Sequence, residues 1–280
     1  MKQLSSVGGN SLRRNLRSLM TLTITLITCL SLTFNNIGYA ITNGQPDGTA
    51  HPYVCIILAK IGENWYYGSG TLISPTIILT AGHLTYGATD VSIFFDPDPT
   101  VNPNWPFDGL TGTPVTHPEY SIGESPTLPD WISHDVGVIV LDIPYNLGVY
   151  GELPTEGLVD TLPMKSMVLQ VGYGVQEMAL YDEAPHGPPD WVNEFERMYA
   201  PAQLITSKHK WGDEFIKTTA NPAKGKGGTA FGDSGGPIFI GTSETIIGVT
   251  SWGTNYPCAG VSYASRIDTA DVLEFINYYL

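Results

Sequence analysis

The chain reads as an all-β protein, a sandwich or barrel with one short helix at its end. Short apolar runs recur along it, and Gly and Pro, 31 and 21 of 280 residues, interrupt them every few positions. Helical spacing of apolar residues is clear only near the C-terminus. Strands alternating with long amphipathic helices would have pointed to an α/β sheet, and that pattern is missing.

Ahead of the strands lies a leader. Residues 1–17 carry Lys2, Arg13, Arg14 and Arg17 and no acid, an apolar run follows from Leu19 to Phe34, and Gly38-Tyr39-Ala40 ends the segment in small residues. That order is a secretory signal. The run is short and rich in Thr for a membrane span, so cleavage after Ala40 is expected in preference to an uncleaved anchor. The remaining 240 residues, beginning Ile41-Thr42-Asn43-Gly44, are enough to bury a core. The full chain carries a net charge of −14, and loss of the four basic leader residues takes it to about −18. Such a surface excludes nucleic acid and anionic membranes as partners of the mature chain, and the protein is expected to be secreted and monomeric.

The expected strands are Val54 to Ala59, Gly70 to Ile73, Thr76 to Leu79, Val91 to Phe95, Val136 to Leu141, Val168 to Tyr173, Ile238 to Ile240, Ile246 to Thr250 and Val261 to Ile267. Turn residues cluster between Pro144 and Thr161 and suggest a divide between two halves. Asp268 or Thr269 can cap the final helix, in which Val272, Leu273, Phe275, Ile276 and Tyr279 recur at helical spacing. Cys29 lies in the leader. Cys55 and Cys258 remain, either as one disulfide or as two buried thiols, and no zinc pattern is present.

The stretch that carries chemistry is Gly232-Asp233-Ser234-Gly235-Gly236-Pro237, between the glycine-rich Gly225, Gly227 and Gly228 and an apolar strand. Glycines let the backbone turn tightly, so Ser234 is a candidate nucleophile and the N–H groups of Gly232 and Ser234 can converge on an oxyanion. The alternative is an ordinary glycine-rich hairpin. A serine needs a base and an orienting acid. All six histidines precede Ser234, which argues against the α/β-hydrolase elbow, where the histidine follows the serine. His83 stands after a strand in Leu79-Thr80-Ala81-Gly82-His83-Leu84, and Asp135 stands at the mouth of the apolar run Val136 to Leu141. A carboxylate there needs a hydrogen-bonding partner.

Together these stretches resemble the chymotrypsin/trypsin-like serine proteases. The family's Thr-Ala-Ala-His-Cys is matched by Thr80-Ala81-Gly82-His83-Leu84, its Asp-Ile-Ala-Leu-Leu by Asp135-Val136-Gly137-Val138-Ile139, and its Gly-Asp-Ser-Gly-Gly-Pro in full by Gly232 to Pro237. Ser251-Trp252-Gly253 matches the Ser-Trp-Gly of the primary pocket, and Ile41-Thr42-Asn43-Gly44 resembles the activated N-terminus Ile-Val-Gly-Gly. The five matches fall in family order over nearly all of residues 41–280.

The resemblance implies two packed six-stranded antiparallel β-barrels, one over 41–150 with His83 and Asp135 and one over 151–280 with Ser234 and the C-terminal helix, behind a signal peptide at 1–40. It implies peptide hydrolysis through an acyl-enzyme, with a polypeptide as substrate and no required cofactor. His134 is the tempting wrong base, since neighbours in an extended segment face opposite ways. Pocket residues carried over are Gly228, Thr229, Thr250, Ser251, Trp252 and Gly253. Gly228 stands where trypsins hold an aspartate, so cleavage after Arg or Lys is not expected. Asp233 would pair with the α-ammonium of Ile41, exposed directly by signal cleavage.

Departures from the family are Gly68 and Leu84 where a disulfide usually loops around the histidine, and Ala230 where Cys258 would find its usual mate. Calcium is a weaker expectation at Asp96, Asp98, Asn102, Asn104 and Asp108, which lack EF-hand spacing. The Pro-rich stretch Glu177 to Trp191 is expected as a surface loop near the cleft. The competing readings are a catalytically silent binding protein on the same fold and an esterase-like hydrolase.

Overall fold

A computed structural model describes residues 44–123, 131–175, 177–179, 190–192, 195–206, 213–220, 227–253 and 260–280. The leader, Ile41 and Cys258 lie outside the described residues, as does the centre of the Pro-rich stretch.

In chain order the strands are β1 (Gln45–Pro46), β2 (Val54–Ile61), β3 (Asn64–Ser74), β4 (Ile77–Thr80), β5 (Ala88–Phe94), β6 (Gly112–Thr116), β7 (Ser121–Gly123), β8 (Trp131–Ser133) and β9 (Gly137–Leu141). There follow β10 (Met167–Gly172), β11 (Glu177–Ala179), β12 (Asp190–Val192), β13 (Met198–Thr206), β14 (Phe215–Ala220), β15 (Pro237–Ile240), β16 (Ile246–Gly253) and β17 (Gly260–Arg266). The helices are the single turn α1 (Gly82–Thr85) and α2 (Ala270–Asn277).

These strands make two antiparallel barrels. The first sheet runs β5-β2-β3-β4-β9-β6, and a bridge between Ile93 and Leu110 nearly closes it. The second runs β13-β10-β15-β16-β17-β14 and closes by pairing β13 with β14. β1 adds to the second sheet through Gln45–Tyr199 and Pro46–Met198, although it falls in the range expected of the first barrel. Closure removes the exposed edges that short antiparallel sheets otherwise present. The expected loop Glu177 to Trp191 is corrected at its ends, where Glu177–Ala179 pairs with Asp190–Val192 as a two-stranded ribbon.

Burial follows the apolar runs. Val54 to Ala59 is buried throughout, as are Ile77 to Leu79, because both faces of β2 and β4 are covered. One core cluster reaches from Ile56, Leu72 and Val138 of the first barrel to Val171, Tyr173, Phe239 and Val249 of the second. Side chains of this size contribute about 1.5–3 kcal/mol each on full burial.

A buried arginine bolts the two halves together. Arg197 donates from Nε to Asp47 Oδ2 at 2.9 Å, from Nη1 to the carbonyls of Val54 at 3.0 Å and Phe95 at 2.9 Å and to Tyr173 Oη at 3.2 Å, and from Nη2 to Gly48 O at 2.7 Å. The planar guanidinium spreads its N–H donors over three nitrogens and so reaches five acceptors on both sides, where a lysine offers three donors from one point. Asp47 is held below the usual carboxylate range. Burial opposes this, but hydrogen bonds and charge from His51, together with the Arg197 charge, outweigh it.

Helix α2 begins after Thr269, which occupies the cap position without a side-chain cap bond. Asp268, the other expected cap, instead accepts from Val159 N at 2.8 Å and pairs with Arg266. No helix among the described residues is long and apolar enough to cross a membrane. Cys55 is buried and unbridged, and burial pushes its thiol pKa up.

Candidate active site

β4 ends at Thr80, and the next turn, α1, carries His83. Gly137 of β9 pairs with Thr80 of β4, which brings Asp135, two residues earlier, under that turn. His83 N donates to Asp135 Oδ1 at 2.7 Å, and His83 Nδ1 lies 2.9 Å from Oδ2 and 3.1 Å from Oδ1. A carboxylate only accepts, so Nδ1 carries the proton and Nε2 is left as the basic nitrogen. The Asp135 side chain is fully buried, while that of His83 is 27% exposed.

Ser251 of β16 completes the shell by donating its hydroxyl to Asp135 Oδ2. Burial alone would raise the Asp135 pKa, but the His83 charge, its hydrogen bonds and the Ser251 hydroxyl hold it below the ordinary value. Burial likewise disfavours a charged His83. The Asp135 charge and hydrogen bond outweigh that, so His83 sits above its usual pKa. Ser251, which the resemblance places at the substrate pocket, thus directs its side chain at Asp135, leaving its backbone for the pocket.

Ser234 reaches the site on a turn gripped by the first barrel. Ser69 N on β3 donates to Ser234 O at 2.7 Å, and Ser69 Oγ donates to Gly232 O at 2.9 Å. Gly232 and Gly235 have φ of +95° and +85°, a region that L side chains rarely adopt. A Cβ on Gly232 would also fall 2.2 Å from the Tyr67 ring. Within this turn the amides of Asp233, Gly235 and Gly236 are taken by Ala230 O, Thr250 O and Asp233 O. Among the described residues the amides of Gly232 and Ser234 have no protein acceptor, and no hydrogen bond joins Ser234 Oγ to the His83 ring. Such bonds are often long before substrate arrives.

Asp233 turns away from Ser234 into a buried slot. Its Oδ1 accepts from Gly174 N at 2.8 Å and its Oδ2 from Ala230 N at 2.8 Å. A Cβ on Gly172 or Gly174 would lie 2.3 or 2.4 Å from the carboxylate, so glycine is what makes room. Among the described residues no cation faces it, and burial pushes the Asp233 pKa up to about 7, against the two amide bonds that lower it.

Of the expected pocket residues, Thr250 abuts the serine turn directly. Gly228, Thr229 and Thr250 are buried, Thr229 N donates to Ser262 Oγ at 3.2 Å, and Thr250 O accepts from Gly235 N. Trp252 stacks on Tyr263 with centroids 3.9 Å apart, and Gly253 is exposed. Where the family's disulfide would loop the histidine, packing stands in for it: a Cβ on Gly68 would meet Leu84 Cδ1 at 2.3 Å and Ser234 O at 2.8 Å. Sequence reasoning missed Ser69 and Tyr67, because nothing in a strand marks the residues that a distant turn will lean on.

His134 faces away from the cleft, at φ 49°, towards Asp271. At the possible calcium loop the polar groups serve their own turns. Asp98 Oδ1 accepts from Thr100 N at 2.9 Å, Asp96 Oδ2 from Asn102 Nδ2 at 2.8 Å and Asn102 Oδ1 from Asn104 N at 3.0 Å. Among the described residues Asp96, Asp98 and Asp108 do not converge as a ligand set.

Two β-barrels that contribute His83 with Asp135 and Ser234 respectively define a protein of the chymotrypsin-like fold. The chain belongs to the trypsin family, whose model, described as Trypsin, matches residues 42–276. It is 28% identical over 226 residues to "Serine protease 1" of Drosophila melanogaster, covering 78% of this chain and 77% of the relative. Among solved structures it is similar to HL collagenase, with a TM-score of 0.61 and 17% identity over 84% of this chain and 95% of that one. It is also similar to the scabies mite inactivated protease paralogue S-I1, with a TM-score of 0.57 and 15% identity over 84% and 97%. At such identities the two structures speak for the fold alone, and the second makes plain that the fold does not guarantee activity.

Proposed function

We propose that this serine protease family member is an active, secreted endopeptidase. Ser234 Oγ attacks the scissile carbonyl, His83 Nε2 takes the hydroxyl proton and later returns it to the leaving amine, and Asp135 holds the imidazole and offsets its charge. The tetrahedral oxyanion is received by the amides of Gly232 and Ser234, and water then hydrolyses the acyl-enzyme. The reaction uses side chains and backbone amides and needs no cofactor. The observation that carries this reading is the buried Asp135–His83 pair, placed with Nδ1 as donor, beside a serine turn whose two relevant amides are unspent.

Gly228 leaves the pocket without a carboxylate, so small and medium apolar residues are preferred before the cut and Arg or Lys are not. The leader is removed after Ala40, and the ammonium of Ile41 enters the slot of Asp233, where it supplies the missing cation and orders the oxyanion turn. Calcium is not needed for the chemistry.

The experiment is intact mass after treatment with a fluorophosphonate, beside a Ser234→Ala variant. One adduct, lost with the substitution, on a chain starting at Ile41 is the expected result. No adduct on a chain starting at Ile41 would move the protein to the catalytically silent class, and adduct formation without peptide turnover would move it to an esterase. A peptide library dominated by cleavage after Arg would overturn the specificity.

A further inference from the structure

We infer that the protein carries a binding site for a divalent transition-metal ion of the zinc class, formed by Glu119, His134 and Asp271. The three residues come from separate elements: the turn between β6 and β7, the residue after β8, and the first turn of α2. One ligand atom from each lies within 4.8 Å of the others. His134 Nε2 is 2.9 Å from Asp271 Oδ2 and 3.3 Å from Glu119 Oε2. Ligands at about 2.1 Å from a tetrahedral ion stand roughly 3.4 Å apart, so the set is already near the spacing an ion imposes.

The imidazole is prepared for the role. Without an ion Nε2–H donates to the carboxylates and Ser133 Oγ, 2.8 Å from Nδ1, can donate to that nitrogen; ion binding displaces the Nε2 proton, and Ser133 Oγ can then accept from Nδ1–H, the outer-shell contact a metal-bound imidazole needs. The ring is stacked on buried His117, centroids 4.9 Å apart and 12° from parallel, which fixes its direction. His117 Nδ1 is spent on Glu119 N at 3.2 Å and is not a ligand. One imidazole with two carboxylates suits zinc-class ions better than calcium, which takes oxygen alone.

A second observation points into the same place. His134 and Asp271 share with Ser265 and Glu214 the wall of a cavity of about 130 Å³. Ser265 is 2% exposed and its hydroxyl has no hydrogen-bond partner. Arg266, also on the wall, does not repel a cation strongly, because Asp268 and Asp160 pair with its guanidinium.

Since His134 directly precedes Asp135, an ion here ties the turn presenting that carboxylate to the C-terminal helix. Any proton on Nε2 leaves to solvent when the ion binds.

The test is calorimetric titration of Zn²⁺ into the full protein carrying Ser234→Ala to prevent self-cleavage, beside Glu119→Gln, His134→Ala and Asp271→Asn in the same background. The expected result is one ion per chain, with affinity at least ~10-fold weaker in each variant and a zinc-dependent rise in Tm only with all three ligands present. The side chain of Glu119 is 68% exposed, so Glu119→Gln stays informative even if the other two fail to fold. Absence of stoichiometric binding overturns the inference. So does binding that survives all three changes or is lost only with His83→Ala.

Discussion

Ser251, on a strand of the second barrel, donates its hydroxyl to Asp135, the buried carboxylate that the first barrel places under His83. The orientation of the histidine therefore depends on both barrels being docked. A hydrogen bond to a buried charge contributes about 1.5–3 kcal/mol, and here it also keeps Asp135 ionised.

Ser251→Ala is expected to lower kcat by about tenfold, with KM nearly unchanged and the fold intact by circular dichroism, because the lost bond acts on the histidine's partner. Asp135→Asn is expected to cost ~10⁴-fold in kcat by presenting the wrong tautomer. It also removes the charge that raises His83, so the acid limb of kcat/KM moves to lower pH. A limb that stays in place would reject His83 as the base.

Gly232→Ala places a Cβ 2.2 Å from the Tyr67 ring at a φ of +95°. The turn has to shift, and the amide of residue 232 shifts with it. A fall in kcat of ~10²–10³, the size of a lost oxyanion donor, is expected. Adding Tyr67→Ala relieves the clash but not the backbone strain, so steady-state kinetics of the double variant should recover only part of the loss.

Asp233 gives a pH signature to any form in which Ile41 is not N-terminal. Its folded pKa of about 7 lies above the ordinary 3.8, so the folded state holds the proton more tightly than the unfolded state. Its stabilising contribution is full below about pH 4 and is lost as pH rises through 7. At 1.36 kcal/mol per pKa unit this amounts to ~4 kcal/mol at most. Urea unfolding of an N-terminally extended protein should show this decline, Asp233→Asn should flatten it, and a protein beginning at Ile41 should lack it. Identical slopes in all three would exclude an ammonium partner for Asp233.

Arg197→Ala takes from buried Asp47 its permanently charged partner, leaving it to His51 alone, and frees the carbonyls of Gly48, Val54 and Phe95. A loss of about 3–5 kcal/mol is expected, read as a drop in the urea midpoint. Asp47→Asn in the same chain should recover part of it, as the buried charge left to His51 alone is gone.

Local pattern was enough for much of this protein. β-branched runs broken by Gly and Pro specified strands at Val54, Ile77, Val168, Ile246 and Val261, because a residue's preference for a pleated strand and the turn-forming geometry of Gly and Pro act within a few positions. The stretches around His83, Asp135 and Ser234 were legible for the same reason, each being a short segment whose backbone demands glycine or small residues. The tertiary structure alone decided which residues lean on them. Ser251 is aimed at Asp135, Ser69 grips the serine turn, Arg197 joins both barrels, and Glu119, His134 and Asp271 come together from three separate elements. Those contacts span up to 163 positions, and they arise from barrel closure and docking, which no local periodicity encodes.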